Sequence, residues 1–168
     1  MMDSNFIKAA IIITDYHPTG TIGFILNKPI NMKINDLLAS FPEFEVDVFY
    51  GGPVATDTIH FLHNLGDLLE GSKFVAKGVY WGGNFDKLKF LITSGLVHPN
   101  QIRFYVGYSG WSPGQLEEEI STSSWVISES DPNYVFKSNS DKLWKQVMID
   151  KGELYAILSE LPENVNLN

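Results

Sequence analysis

No cysteine occurs anywhere in the 168 residues. That absence excludes disulfides, thiolate metal sites, iron–sulfur clusters and thiol nucleophiles together. Clustered positive charge is missing too. Twelve basic residues face 20 acidic ones, for a net charge of −8, and nowhere do three basic residues fall together. Recognition of phosphate relies on grouped Lys and Arg that release condensed counterions, so nucleic acid is disfavoured as a partner, and so is an anionic membrane surface. Long apolar runs are also lacking: Ala9-Ala10-Ile11-Ile12-Ile13 is far shorter than the about 20 residues that span a bilayer. The start, Met1 to Lys8, has neither a basic leader nor a small-residue cleavage site. These features point to a cytoplasmic protein with no membrane segment.

What is present suits a folded domain. An apolar content of 44% with 19% charged residues supplies a core and a wet surface. The length fits one domain, expected over residues 1–160. Residues 161–168 are expected to form a loosely held tail. No internal repeat or low-complexity linker divides the chain.

Strand patterns come in neighbouring groups. Residues 6–14 carry a β-branched run that suits a strand covered on both faces, and after a turn at residues 15–20, residues 21–26 return as its hairpin partner. Further strands are predicted over 46–50, 58–63, 73–76, 79–81 and 125–127. Residues 101–108 alternate Ile102, Phe104, Val106 and Tyr108 against Gln101, Arg103 and Tyr105, the period of a half-buried strand. Helices are inserted between these groups. Asn35 is read as the cap of a short one, and Asn84 as the cap of a helix closed by Gly95. Ser112-Pro113-Gly114-Gln115 carries a helix-start signal in which Gln115 reaches back toward Ser112. Asp131-Pro132 starts a helical turn, and Ser140 caps a helix over 141–150 that Gly152 ends. Without regular βαβ alternation, the expected class is α+β with a largely antiparallel or mixed sheet.

Three blocks, in order, resemble the AlgH/YqgE family of bacterial proteins. They are residues 20–29 (Gly20 to Asn27-Lys28-Pro29), Tyr50-Gly51-Gly52-Pro53-Val54 with Thr56-Asp57, and Gly107-Tyr108-Ser109-Gly110-Trp111-Ser112-Pro113-Gly114-Gln115 running on to Ile120 and Trp125. The similarity extends from about Asp3 to about Gly152. The resemblance implies a curved, partly barrel-like sheet surrounded by helices. It implies no reaction and no cofactor; members are called uncharacterised or transcriptional regulators. Family members usually carry an extra strand ahead of the segment matching Asp3-Ser4-Asn5-Phe6, so an open sheet edge is expected here, one that would also permit a homodimer.

Each polar constellation has a plain structural reading. His60 and His63 are three apart, which in a strand places them on opposite faces, so no joint metal site is expected. His17 and His98 precede prolines in turns. Glu117, Glu118 and Glu119 point about 100° apart on a helix and are read as a solvated helix start. Ser109 lacks the Gly-x-Ser-x-Gly frame of a nucleophile elbow. Gly51-Gly52 and Gly82-Gly83 either permit close backbone packing or cradle a small anion. No cofactor fingerprint is met. Binding candidates are the polar and aromatic groups at predicted strand ends: Asn27, Lys28, Gly51, Gly52, Asp57, Tyr108, Trp111 and Gln115. Trp111 is either a ligand wall or a plug in the corner between strand and helix. No side chain is assigned a catalytic role. The function expected is a non-enzymatic module that binds a protein partner or a small ligand. A regulator acting on DNA and an unfamiliar hydrolase or transferase are the alternatives.

Overall fold

The structure, a computed structural model, describes residues 3–162. Asp3 opens it by capping a single 3-10 turn, its carboxylate accepting the Asn5 amide at 3.0 Å. The extended run predicted from residue 6 therefore starts later, because Lys8 takes a positive φ of 49°. Strand β1 covers Ile11–His17 and pairs antiparallel with β2, Gly20–Ile25, as expected of the hairpin. His17 is thus the last residue of a strand.

After β3 (Pro29–Lys33) comes a short helix α1, Ile34–Leu37. Asn35 lies inside this helix and does not cap it. Its amide donates to the carbonyls of Phe41 and Pro42 while its oxygen accepts the Phe44 amide, which fixes the following loop. Strands β4 (Asp47–Tyr50) and β5 (Val54–His63) follow, then the tight hairpin of β6 (Lys73–Ala76) and β7 (Val79–Trp81). Helix α2, Phe85–Thr93, starts where the Asn84 side chain accepts the Lys87 amide and ends at Gly95, whose φ is +71°.

Strand β8, Ile102–Trp111, is the spine. It pairs antiparallel with β2 and β5 and parallel with β4. The order β1-β2-β8-β5-β7-β6, with β3 and β4 joined through β8, curls into a mixed, largely antiparallel sheet nearly closed into a barrel. Six helices surround it among the described residues. Because β8 is covered on both faces, the predicted alternation fails at Tyr105, which is fully buried together with Phe104. Apolar side chains on the two faces of the sheet build two cores, one around Phe61, Leu88 and Phe104, the other around Phe24, Leu62 and Tyr105.

The glycine blocks have a packing explanation. The chain at Gly51-Gly52 crosses β8 so closely that a Cβ on Gly51 would lie 2.3 Å from the Gly107 carbonyl oxygen. One on Gly52 would lie 2.3 Å from the carbonyl of Tyr108. Only glycine permits backbones to approach this far.

The C-terminal third departs most from expectation. Helix α3, Gln115–Ser121, starts after Gly114, at φ +77°, not at Ser112. The reach-back bond does form, with the Ser112 amide donating to Gln115 Oε1 at 2.9 Å. Residues 125–127 find no strand partner and run as an irregular segment. Asp131 caps α4, Pro132–Phe136, and Asn139, not Ser140, caps α5, Ser140–Lys151. Gly152 ends α5 as predicted, but the chain turns directly into another helix, α6, Glu153–Ser159. Most of the predicted tail, residues 163–168, lies outside the described residues.

Candidate functional site

Curling the sheet brings its two end strands, β1 and β6, face to face without joining them in a ladder. The Lys73 ammonium on β6 closes one end of this seam through a 2.6 Å ion pair with Asp15 on β1. Toward the other end the seam opens into a cleft of about 350 Å³. Ile11, Ile12 and Ile13 form one wall, Val75 and Ala76 the opposite one. Residues 125–131 form a strap along it, and α4 and α5 add Val135, Trp144 and Val147. A cleft of this size, mainly apolar with a few polar groups, has the character of a binding pocket.

Three of the four tryptophans, Trp111, Trp125 and Trp144, line this cleft. Glu119 positions two of them. Its Oε2 accepts the indole N–H of Trp111 at 3.0 Å and that of Trp125 at 2.7 Å, while Oε1 accepts from Gln115 Nε2 at 2.9 Å. The two indoles meet edge to face at 5.9 Å, and Phe6 packs against both. Lys151 donates to the Ile127 carbonyl and so ties the strap to α5. The Tyr134 hydroxyl donates to Asp150, and burial together with that carboxylate raises its pKa above the ordinary tyrosine range.

The binding candidates fall into two groups. Trp111 lines the cleft, buried to 6% exposure, and Gln115 supports it through Glu119. Asn27 braces the start of the same wall, donating to the Lys8 carbonyl and accepting the Ala10 amide, each at 2.9 Å. Lys28 lies nearby, donating to the Asn5 carbonyl, and burial lowers its pKa. Gly51, Gly52, Asp57 and Tyr108 are not among the cleft-lining residues. The glycines are consumed by the chain crossing, Asp57 is exposed on β5, and Tyr108 packs edge-on to His60 at 5.7 Å.

Two other readings are now concrete. Ser109 is fully buried, its hydroxyl donating to the Gly51 carbonyl at 3.0 Å. Glu119 is no solvated helix-start residue but a clamp on two indoles; Glu117 accepts from Tyr16 instead. Among the described residues no three His, Asp or Glu side chains are placed to hold a metal ion, and no helix is long and apolar enough to cross a membrane. Sequence reasoning missed Glu119, Trp144 and the strap as parts of one site. The crowding of tryptophan after residue 110 was the available signal, but nothing local says that these indoles converge.

Comparison with known proteins settles the family. A model described as AlgH-like matches residues 1–156. The chain belongs to the AlgH-like family. A UPF0301 protein of Chlorobium phaeobacteroides is 40% identical over 168 residues, covering 100% of this chain and 90% of the relative. One from Cytophaga hutchinsonii is 36% identical, covering 99% and 92%. Among solved structures, the AlgH protein of Pseudomonas aeruginosa superposes with a TM-score of 0.76 at 25% identity, over 96% of this chain and 88% of that one. A Corynebacterium diphtheriae protein reaches 0.78 at 18% identity, over 96% and 86%, a likeness of fold alone. In this AlgH-like chain the second sequence block lies at the glycine crossing and the third at the Trp111 corner.

Proposed function

We propose that this AlgH-like protein is a non-enzymatic binding module of the cytoplasm, and that its recognition site is the tryptophan-walled cleft at the barrel seam. The observation that carries this reading is the cleft itself. A mainly apolar space of about 350 Å³ stands open with three indoles among its lining, two of them held by one carboxylate. Holding aromatic walls in place before binding saves the entropy of ordering them on contact. Burial of Ser109 behind the Gly51 carbonyl bond supports binding over hydrolysis. The net charge of −8 favours an uncharged or basic partner over duplex DNA.

The test uses the uncharged dye N-phenyl-1-naphthylamine as an apolar probe. The expected result is saturable binding at one site, lost by at least about ten-fold, or about 1.4 kcal/mol, in Val147→Phe, which fills the cleft from α5. Circular dichroism checks that the variant is folded. Equal dye affinity in a folded Val147→Phe protein would place the apolar site elsewhere and overturn the proposal.

A further inference from the structure

The chemistry of the cleft walls says more than their polarity. In an antiparallel strand, the N–H and C=O of one residue point to the same edge, and successive residues alternate between edges. Ala10 faces β2, since its carbonyl accepts the Leu26 amide at 2.8 Å and its own amide meets Asn27. Two residues opposite β1 confirm the phase. Ile25 sends its amide away from β1, to the Gly51 carbonyl at 2.9 Å, and Gly23, two residues earlier in the same strand, shares that phase. Their β1 partners are Ile11 and Ile13. Both therefore direct their backbone groups away from β2 and into the seam, before the bulge that follows Ile13.

Those groups have no backbone partner among the described residues. β1 pairs with β2 and β6 with β7, and neither pairs across the seam. The strap does not substitute for a strand, because no backbone hydrogen bond joins residues 125–130 to either edge. Small apolar molecules would fill the space and leave four strong donors and acceptors unmatched. Unmatched edges of this kind are templates for another strand.

Resting on the reading above that the cleft is a binding site, we propose that its occupant is an extended peptide segment of a protein partner, added as a strand along the free edge of β1. Ile11 and Ile13 hold its backbone, while alternate apolar side chains enter the space between Trp111, Trp125 and Val147. Glu129 and Asp131 outnumber Lys151 among the charged residues lining the cleft, and this acidic balance favours basic residues flanking the segment; Asp15, at the narrow end, is already paired with Lys73. A strand of about five residues is the ordinary length for such pairing.

The probe is an acetylated, amidated peptide of alternating valine and threonine flanked by lysines. Its control is the same peptide N-methylated at alternate residues, which keeps the side chains and removes the donors. The first peptide is expected to bind, to compete with the dye, and to slow hydrogen exchange of the Ile11 and Ile13 amides. The control is expected to bind at least about ten-fold more weakly, the equivalent of about 1.4 kcal/mol. Equal binding of both peptides, or binding without protection of those two amides, overturns the strand proposal. Dye binding without peptide binding also overturns it and leaves the cleft reading standing. Failure of both probes overturns both.

Discussion

The carboxylate of Glu119 and the indole of Trp125 are joined by a 2.7 Å hydrogen bond across a stretch of chain that has no regular structure of its own. This bond, shared with Trp111, holds the strap against the barrel seam.

Replacing Glu119 with alanine should release that strap. The change leaves two indole donors without their acceptor, one of them on the buried Trp111. Stranding such groups costs about 1–3 kcal/mol. Urea unfolding should show a loss of that size, and amide exchange should accelerate over residues 124–130 more than in the β5–β8 ladder. A uniform acceleration across the sheet would mean that Glu119 supports the whole fold and not the cleft.

Asn27 tests the opposite wall. Its amide group both donates to Lys8 and accepts from Ala10. Asn27→Asp keeps the acceptor, loses the donor and sets a carboxylate against the Lys8 carbonyl. Both Asn27→Ala and Asn27→Asp should destabilise by about 1–3 kcal/mol. Retained stability in Asn27→Asp would show that the bond to Lys8 contributes nothing.

The glycines should separate by what surrounds them. At Gly52, φ is +152° and a Cβ would strike the Tyr108 backbone at 2.3 Å, so Gly52→Ala should cost more than about 4 kcal/mol or prevent folding. At Gly114, φ is +77° but nothing lies within 4 Å. Only the left-handed backbone penalty applies there, about 1–2 kcal/mol. Denaturant midpoints of the two variants measure the contrast, and similar values would remove the close-crossing explanation of the Gly51-Gly52 block.

How much of this was legible beforehand follows physical lines. The β6–β7 hairpin, the Asn84 cap and the Gly95 stop were readable because each rests on residues adjacent in sequence. Tyr105 was misplaced because two-sided cover of β8 is a property of the assembled sheet. Residues 125–127 look like a strand locally but form no ladder, the strap being held instead by the Trp125–Glu119 and Lys151–Ile127 hydrogen bonds. Trp111 was singled out as a corner plug or a ligand wall, and the geometry allows both at once: it is buried, and it faces the cleft. The placing of Trp111, Trp125 and Trp144 around one cleft depends on the path of the chain after β8, which no local pattern encodes.

Two histidines should give the fold an acid-side weakness. Burial lowers the pKa of His63 below its ordinary 6.5, only partly offset by its hydrogen bond to the Gly82 carbonyl, and burial lowers that of His60 as well. Below about pH 6.5 the unfolded chain therefore binds protons that the native protein refuses. With more protons on the unfolded side, stability rises with pH through this window. Each group contributes at most about 1.4 kcal/mol per pH unit, fully in force above the unfolded value and lost progressively as pH falls from 6.5 toward the lower native one. His63 is fully buried, with its ring nitrogens engaged by Gly82, Ser72 and the Leu65 amide, so it should dominate over the half-buried His60. Urea unfolding at pH 5.5 and 7.5 should show a smaller difference in His60→Gln than in the unaltered chain, and a smaller one still in His63→Gln. The reverse order would make His60 the dominant group, and no change in either variant would assign the acid sensitivity to carboxylates instead.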